Sequence, residues 1–324
     1  MREIEYREAI REAITEEMDR DKRVFLIGED IGVYNGAFKA YRGLLNKYGS
    51  ERVIDTPISE NTIIGAGIGA ALTGFRPIAE IMFVDFTALA MDQIINQAAK
   101  INFMTGGEVD VPLVIRTQGG VGKGLGAQHS QSLEAFFYHV PGLKLAVPST
   151  PYDVKGLLKT AIRGNSPVIF MEHKMIYPVK GPVPEEEYTI PLGKADIKKD
   201  GNDITIFAYS NMVLKSLEAA EALKKEGISC EVVDPRTLVP MDIDLLLDSV
   251  KKTRRMVVVS EACRRGSIAS DISARVTGEV FDILYAPVKI VAGLNTPIPY
   301  NSTLEEASIP QVKDIITAVK ELLQ

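Results

Sequence analysis

The chain has 324 residues, 46% of them hydrophobic and 25% charged, a composition that excludes a disordered or membrane-embedded class. Its 37 Lys and Arg against 43 Asp and Glu leave a formal charge of -6, with no basic run able to follow a phosphate backbone, so nucleic acid is not an expected partner. The length argues for two domains. Cys230 and Cys263 lie far apart in strand-like segments, fit no metal spacing and are expected to be reduced core thiols. The first residues lack the apolar core of a secretion signal, and no apolar stretch is long enough for a membrane span, so a cytoplasmic protein is expected.

Tyr6, Ala9, Ile10, Ala13, Ile14 and Met18 recur at helical spacing and predict an opening helix, after which RVFLIGED predicts a strand. The alternation continues through strand RVIDTP, small-residue helix NTIIGAGIGAAL, strand RPIAEIMFV, helix TALAMDQIINQAAKI and strand VPLVIRT. A glycine loop then leads into helix SLEAFFYH, strand LKLAVPS, helix PYDVKGLLKTAIR with Pro151 near its first position, and strand SPVIFMEH. Residues 174–203 carry four prolines and three glycines with little periodicity, and are expected to be a linker or crossover between domains at 1–173 and 204–324. From ITIFAYS to PQVKDIITAVKELL, strands and helices alternate again. The expected fold is α/β, with two mostly parallel sheets covered by helices.

Glycines 119, 120, 122, 124 and 126 precede a predicted helix, a setting in which bare amides bind phosphate. Spacing argues against a nucleotide. A P-loop needs Gly, four residues and Gly-Lys-Ser/Thr, whereas Gly122-Lys123 is followed by Gly124 and has Thr117 in the first Gly position. Gly122, Gly124 and Ala127 fit the dinucleotide pattern, as do Gly65, Gly67 and Ala70, but neither set is followed by the acidic residue that closes the next strand. His129, at the end of this loop where the helix is expected to begin, is the candidate for proton transfer; a helix cap or packed side chain is its structural alternative. His139 and His173 lack such surroundings and are taken as structural.

A second candidate is Glu60 in DTPISENTIIGAGIGAAL, between a strand and a helix, with Ser59 and Asn61 as caps. As a first-turn acid it would favour the helix dipole; in an apolar recess it could share a proton with a heterocycle nitrogen. Phe86 is the nearest aromatic wall.

Together, DTPISENTIIGAGIGAAL, FVDFTALAMDQIINQAAK, GAQHSQSLEAFFYHVPGLKLAVPSTPYDVKGLLKTAIR, VVDPRTLVPMD and NSTLEEASIPQVKDIITAVKELL resemble the beta subunit of the thiamine-diphosphate-dependent decarboxylating component of 2-oxo acid dehydrogenase complexes, the pyruvate, acetoin and branched-chain group. The resemblance runs from about residue 3 to the C-terminus. It implies a pyrimidine-binding domain followed by a transketolase-type C-terminal domain, and an α2β2 heterotetramer with thiamine diphosphate at the α/β interface. Glu60 matches the glutamate that hydrogen-bonds the aminopyrimidine and promotes its imino tautomer, Ile58 and Phe86 match residues contacting that ring, and His129 matches the histidine facing the thiazolium, the substrate and the incoming lipoyl group. The implied reaction forms a thiamine enamine from a 2-oxo acid or acetoin and transfers the acyl group to lipoyl on the acyltransferase core.

No Gly-Asp dipeptide occurs, so the signature that holds diphosphate through Mg2+ is missing and the resemblance assigns that task to the alpha subunit. The family can also hold potassium on backbone carbonyls matching Leu113, Ala161, Ile162, Gly164 and Ser166; Gly164 and Ser166 stand where relatives often carry Asp and Asn. The alternatives are a branched-chain 2-oxo acid dehydrogenase beta subunit and a non-catalytic partner subunit, the latter opposed by the matches at Glu60 and His129. An NAD-linked oxidoreductase is opposed by the poor fingerprint, and a one-chain transketolase-like enzyme by length and the missing diphosphate motif.

Overall fold

Helix Tyr6–Arg20 forms where apolar residues recur at three- and four-residue steps, and Tyr6, Ala9, Ile10, Ala13, Ile14 and Met18 are all buried. In the computed structural model, which describes residues 1–324, this helix packs against helix Pro151–Arg163. Pro151 stands in the latter's first turn, and the Thr150 hydroxyl caps it by accepting from the Asp153 amide at 3.1 Å. Lys155 and Lys159, both buried, meet Glu12 and Glu16 across this contact at 2.5 to 3.1 Å, the pairing that makes two buried ammonium groups tolerable.

The chain divides into two units, the first of residues 1–119 and 136–192, the second of residues 120–135 and 193–324. Within the first, parallel strands run in the order Lys144–Ala146, Val168–His173, Val114–Gly119, Arg76–Ile81, Val24–Glu29 and Val53–Thr56. Ala79 pairs with Ile115 and Ile115 with Ile169, all fully buried, which is why these strands are continuous apolar runs in the sequence. A separate antiparallel pair joins Arg2–Glu5 to Lys180–Val183.

That pair moves the domain boundary. Residues 174–192 fold with the first unit and Asp196–Lys199 is an edge strand of the second, so the stretch expected to be a linker is shared between both units. Prolines hid the strand Lys180–Val183, because a strand with a single neighbour tolerates Pro182 without losing a ladder bond. The glycine loop, expected within the first domain, belongs to the second unit.

The second unit has strand order Lys289–Gly293, Met256–Cys263, Ile204–Ala208, Cys230–Asp234 and Asp196–Lys199, parallel except for the last. Ile204, Ile206, Val232, Val257 and Val259 pack there against Ile315 and Val319 of helix Val312–Leu323. Cys230 is buried as expected. Cys263 is not: it is the last residue of its strand, where the chain leaves the sheet, and is exposed.

The segment expected as one helix over TALAMDQIINQAAKI divides into a 3-10 stretch Val84–Ala90, a π-helical stretch Asp92–Ala98 and a short α-turn Ile101–Met104. Such departures from α geometry concentrate near functional sites. No helix is long and apolar enough to cross a membrane.

Candidate active site

Strand Val53–Thr56 ends at the carboxyl rim of the first unit's sheet, and the chain turns through Pro57, Ile58 and Ser59 into helix Glu60–Leu72. Ser59 does not cap that helix; its hydroxyl donates instead to the Pro57 carbonyl at 3.1 Å, and no side chain closes the first turn. Asn61 is exposed. Glu60 is the first residue of the helix and only 8% exposed, with its charge at the positive end of the dipole.

Strand Val24–Glu29 ends at the same rim. Burial, together with the charges of Asp30 and Glu60, raises the pKa of Glu29. Three acids thus share one field at the carboxyl ends of parallel strands, where open α/β sheets bind their ligands. Ile63, Ile64, Gly67, Ile68 and Ala71 bury the inner face of the Glu60 helix. A Cβ at Gly67 would meet Leu113 Cδ1 at 3.1 Å, so the small residue is what brings this helix close to the sheet. The helix also packs against Val84–Ala90, which carries the half-buried Phe86, while Ile58 is 74% exposed. Glu60, Ile58 and Phe86 therefore all lie in the first unit.

His129 lies in the second unit, half-buried at a bend, its amide donating to the Gly126 carbonyl at 3.4 Å. It does not begin a helix. The nearest one is the single turn Glu134–Tyr138, so His129 sits within the loop rather than at its end. Gly120, Gly122, Lys123, Gly124 and Gly126 all have positive φ, between 61° and 134°, which only glycine adopts freely at most of these positions. His139 is exposed, and His173 is buried in its strand with Nδ1 accepting from the Met175 amide at 3.1 Å.

The loop's amides do meet an anion, and it belongs to this chain. Gly122 and Gly124 donate to Glu305 Oε1 and Oε2 at 3.0 and 3.1 Å. Val121 and the Ser132 hydroxyl donate to Glu261 Oε1 at 2.7 and 3.0 Å. Sequence reasoning missed both carboxylates; the one local signal was an acid at the end of strand Met256–Cys263 and another in the NSTLEEAS segment. A cavity of about 340 Å³ opens beside the loop, lined among others by Ala127, Ser130, Ser132, Glu261 and Arg265.

The carbonyls of Leu113 and Ala161 accept from the amides of Val168 at 2.9 Å and Gly164 at 3.2 Å. Those of Ile162 and Gly164 accept from Arg76 Nη1 at 3.1 and 2.7 Å. Two of the five oxygens that the resemblance assigns to potassium, those of Ile162 and Gly164, thus already accept from a resident cation.

Comparison with known proteins decides the family. Residues 2–180 match the model for "Transketolase, pyrimidine binding domain" and residues 193–315 that for "Transketolase, C-terminal domain". The chain is 48% identical to the acetoin:2,6-dichlorophenolindophenol oxidoreductase subunit beta of Cupriavidus necator, covering 100% of this chain and 98% of that one. It is 45% identical to the pyruvate dehydrogenase E1 component subunit beta of Gracilaria tenuistipitata, with 100% of each chain covered. This chain belongs to the 2-oxo acid dehydrogenase E1 beta-subunit family. Beyond that beta-subunit family, a solved structure titled "Split gene transketolase, inactive beta4 tetramer" has the same fold, with a TM-score of 0.80, 24% identity, and coverage of 99% of this chain and 98% of that one. For a member of the E1 beta-subunit family, Glu60, Ile58 and Phe86 stand in the domain matched as pyrimidine-binding.

Proposed function

We propose that the chain is the beta half of an α2β2 enzyme that cleaves pyruvate or acetoin with thiamine diphosphate and passes the acyl group to a lipoyl arm of an acyltransferase core. The observation that carries this reading is Glu60: a carboxyl group nearly closed off from water, at an uncapped helix start on the ligand-binding rim of a parallel sheet. When bound, thiamine diphosphate supplies a carbon nucleophile and an electron sink.

The work of this chain follows from its own groups. Glu60, 8% exposed and at the first turn of its helix, is placed to hydrogen-bond a ring nitrogen of the pyrimidine. Ile58 and Phe86 supply apolar surface for the faces of that ring, and the 74% exposure of Ile58 suits a residue that a cofactor or partner covers. His129, on a loop held by two carboxylates, can donate or accept a proton at the substrate oxygen or at the acyl acceptor. The diphosphate and its Mg2+ fall to the alpha subunit, in keeping with the absent Gly-Asp signature. Phe103 and Met104, 86% and 65% exposed on one short turn, give apolar surface for such a protein partner.

Pyruvate and acetoin both carry a carbonyl carbon bonded to the group that leaves, so one site chemistry serves either; branched-chain 2-oxo acids are the competing substrates. The test is co-expression with an alpha subunit, addition of thiamine diphosphate and Mg2+, and dye reduction with each of the three substrates. Turnover by this chain alone, or none with any substrate in the assembled complex, sinks the reading.

A further inference from the structure

We infer that Glu305 is the positioning residue for His129, holding the loop that carries it in the shape in which the imidazole works. The inference rests on the reading that His129 acts on substrate.

Successive backbone amides in a turn can face one side and form a concavity that binds anions. Here the Gly122 and Gly124 amides each take one oxygen of Glu305, so the concavity is filled by the carboxylate of a residue more than 180 positions away. Glu305 is only 4% exposed, and a carboxylate that deep is stable only with its charge answered by donors. The loop and Glu305 therefore hold each other. Asn301 fixes the helix that presents Glu305, accepting from the Thr303 and Leu304 amides at 3.1 and 3.2 Å.

Glu261 closes the other foot. Its Oε1 takes the Val121 amide on one side of His129 and the Ser132 hydroxyl on the other. Residues 121–132 thus form an arch pinned at both ends, with His129 between the pins. A Cβ at Gly124 would stand 3.3 Å from the Tyr300 carbonyl, in a backbone conformation that side chains seldom take, so the glycine serves the close approach to the segment leading into Glu305.

The experiment uses the complex assembled with its alpha subunit, thiamine diphosphate and Mg2+, and compares Glu305→Ala, Glu305→Gln and His129→Ala. Two quantities are measured: the initial rate of trypsin cleavage after Lys123, an exposed residue within the arch, and the split between kcat and KM. Losing two charge-assisted hydrogen bonds should speed cleavage of Glu305→Ala about tenfold or more and lower its kcat by a similar factor, with KM for the cofactor changed less than about twofold. Glu305→Gln keeps one acceptor oxygen and falls between; it carries the test if the alanine variant does not fold. His129→Ala should be cleaved like the native complex yet lose turnover. Native cleavage and native kcat in both Glu305 variants overturn the proposal, and so does fast cleavage with native kcat. Full turnover of His129→Ala overturns instead the catalytic reading of that residue, while the cleavage rates still report whether Glu305 pins the loop.

Discussion

The guanidinium of Arg116 meets the carboxylate of Glu172 through two parallel hydrogen bonds, Nε to Oε1 at 2.7 Å and Nη2 to Oε2 at 2.6 Å, both side chains wholly shielded from water. Nη1 extends to Glu80 at 3.0 Å, Gln118 and Tyr41 donate to the same Glu80 oxygen, and Tyr177 donates to Glu172. One arginine therefore answers two buried carboxyl groups on neighbouring strands. Burial raises the pKa of Glu80 against the pull of Arg116.

Removing the arginine strands a buried charge. Arg116→Met should destabilise the protein by about 3–5 kcal/mol, whereas Glu80→Gln, which keeps an acceptor oxygen and adds no charge, should cost about 1 kcal/mol. Urea titrations followed by circular dichroism give the comparison. Equal midpoints for the two variants would show that the arginine is not what holds the cluster.

Glu134 opens its helical turn with Oε2 buried and without a hydrogen-bond partner. Burial first, and then the charge of Glu261, lifts its pKa from 4.5 to about 7. The folded state thus binds this proton more tightly than the unfolded chain does. Below pH 4.5 both states are protonated and the group costs nothing; between 4.5 and about 7 stability falls as pH rises, and above 7 the whole penalty is present. Glu134→Gln imitates the protonated form and should gain about 3 kcal/mol or less at pH 8 but little at pH 4.5. Melting temperatures of both proteins across this range check the sign, and parallel curves would remove Glu134 as the cause.

Much of the fold is plain in the sequence because buried parallel strands write themselves as apolar runs between glycines and acids, and helix Tyr6–Arg20 as a stripe at helical spacing. The region after Phe83 is not, since apolar spacing does not distinguish α from 3-10 or π turns until packing against helix Glu60–Leu72 selects them. Glu60 can be picked out by its place between strand and helix, but its burial cannot. The partners of the glycine loop are hidden for a different reason: Glu261 and Glu305 lie 129 or more positions from the donors they meet, and no local pattern records a contact of that span. The Arg116 cluster is hidden likewise, its charged members Glu80, Arg116 and Glu172 coming from three separate strands that read individually as apolar.

Glu60 allows a test that separates charge from shape. If its task is to hold a proton against the cofactor's pyrimidine, Glu60→Gln keeps size and one acceptor oxygen but cannot exchange the proton, and Glu60→Ala loses both. In the assembled complex both should lower kcat by about 10²-fold or more, the loss expected when a positioned acid–base group is removed. The two should differ in cofactor binding: calorimetric titration with thiamine diphosphate should show Glu60→Gln weakened less than Glu60→Ala, since a hydrogen bond to a charged group counts for about 1.5–3 kcal/mol and its neutral substitute for roughly half. Removing the charge should also lower the pKa of Glu29, which Glu60 now helps to raise, and carbon-13 chemical shifts of the Glu29 carboxyl across a pH series would report it. An unmoved Glu29 titration would place the Glu60 carboxylate too far from that rim to share its field, and near-native kcat in Glu60→Gln would show that no proton passes through it.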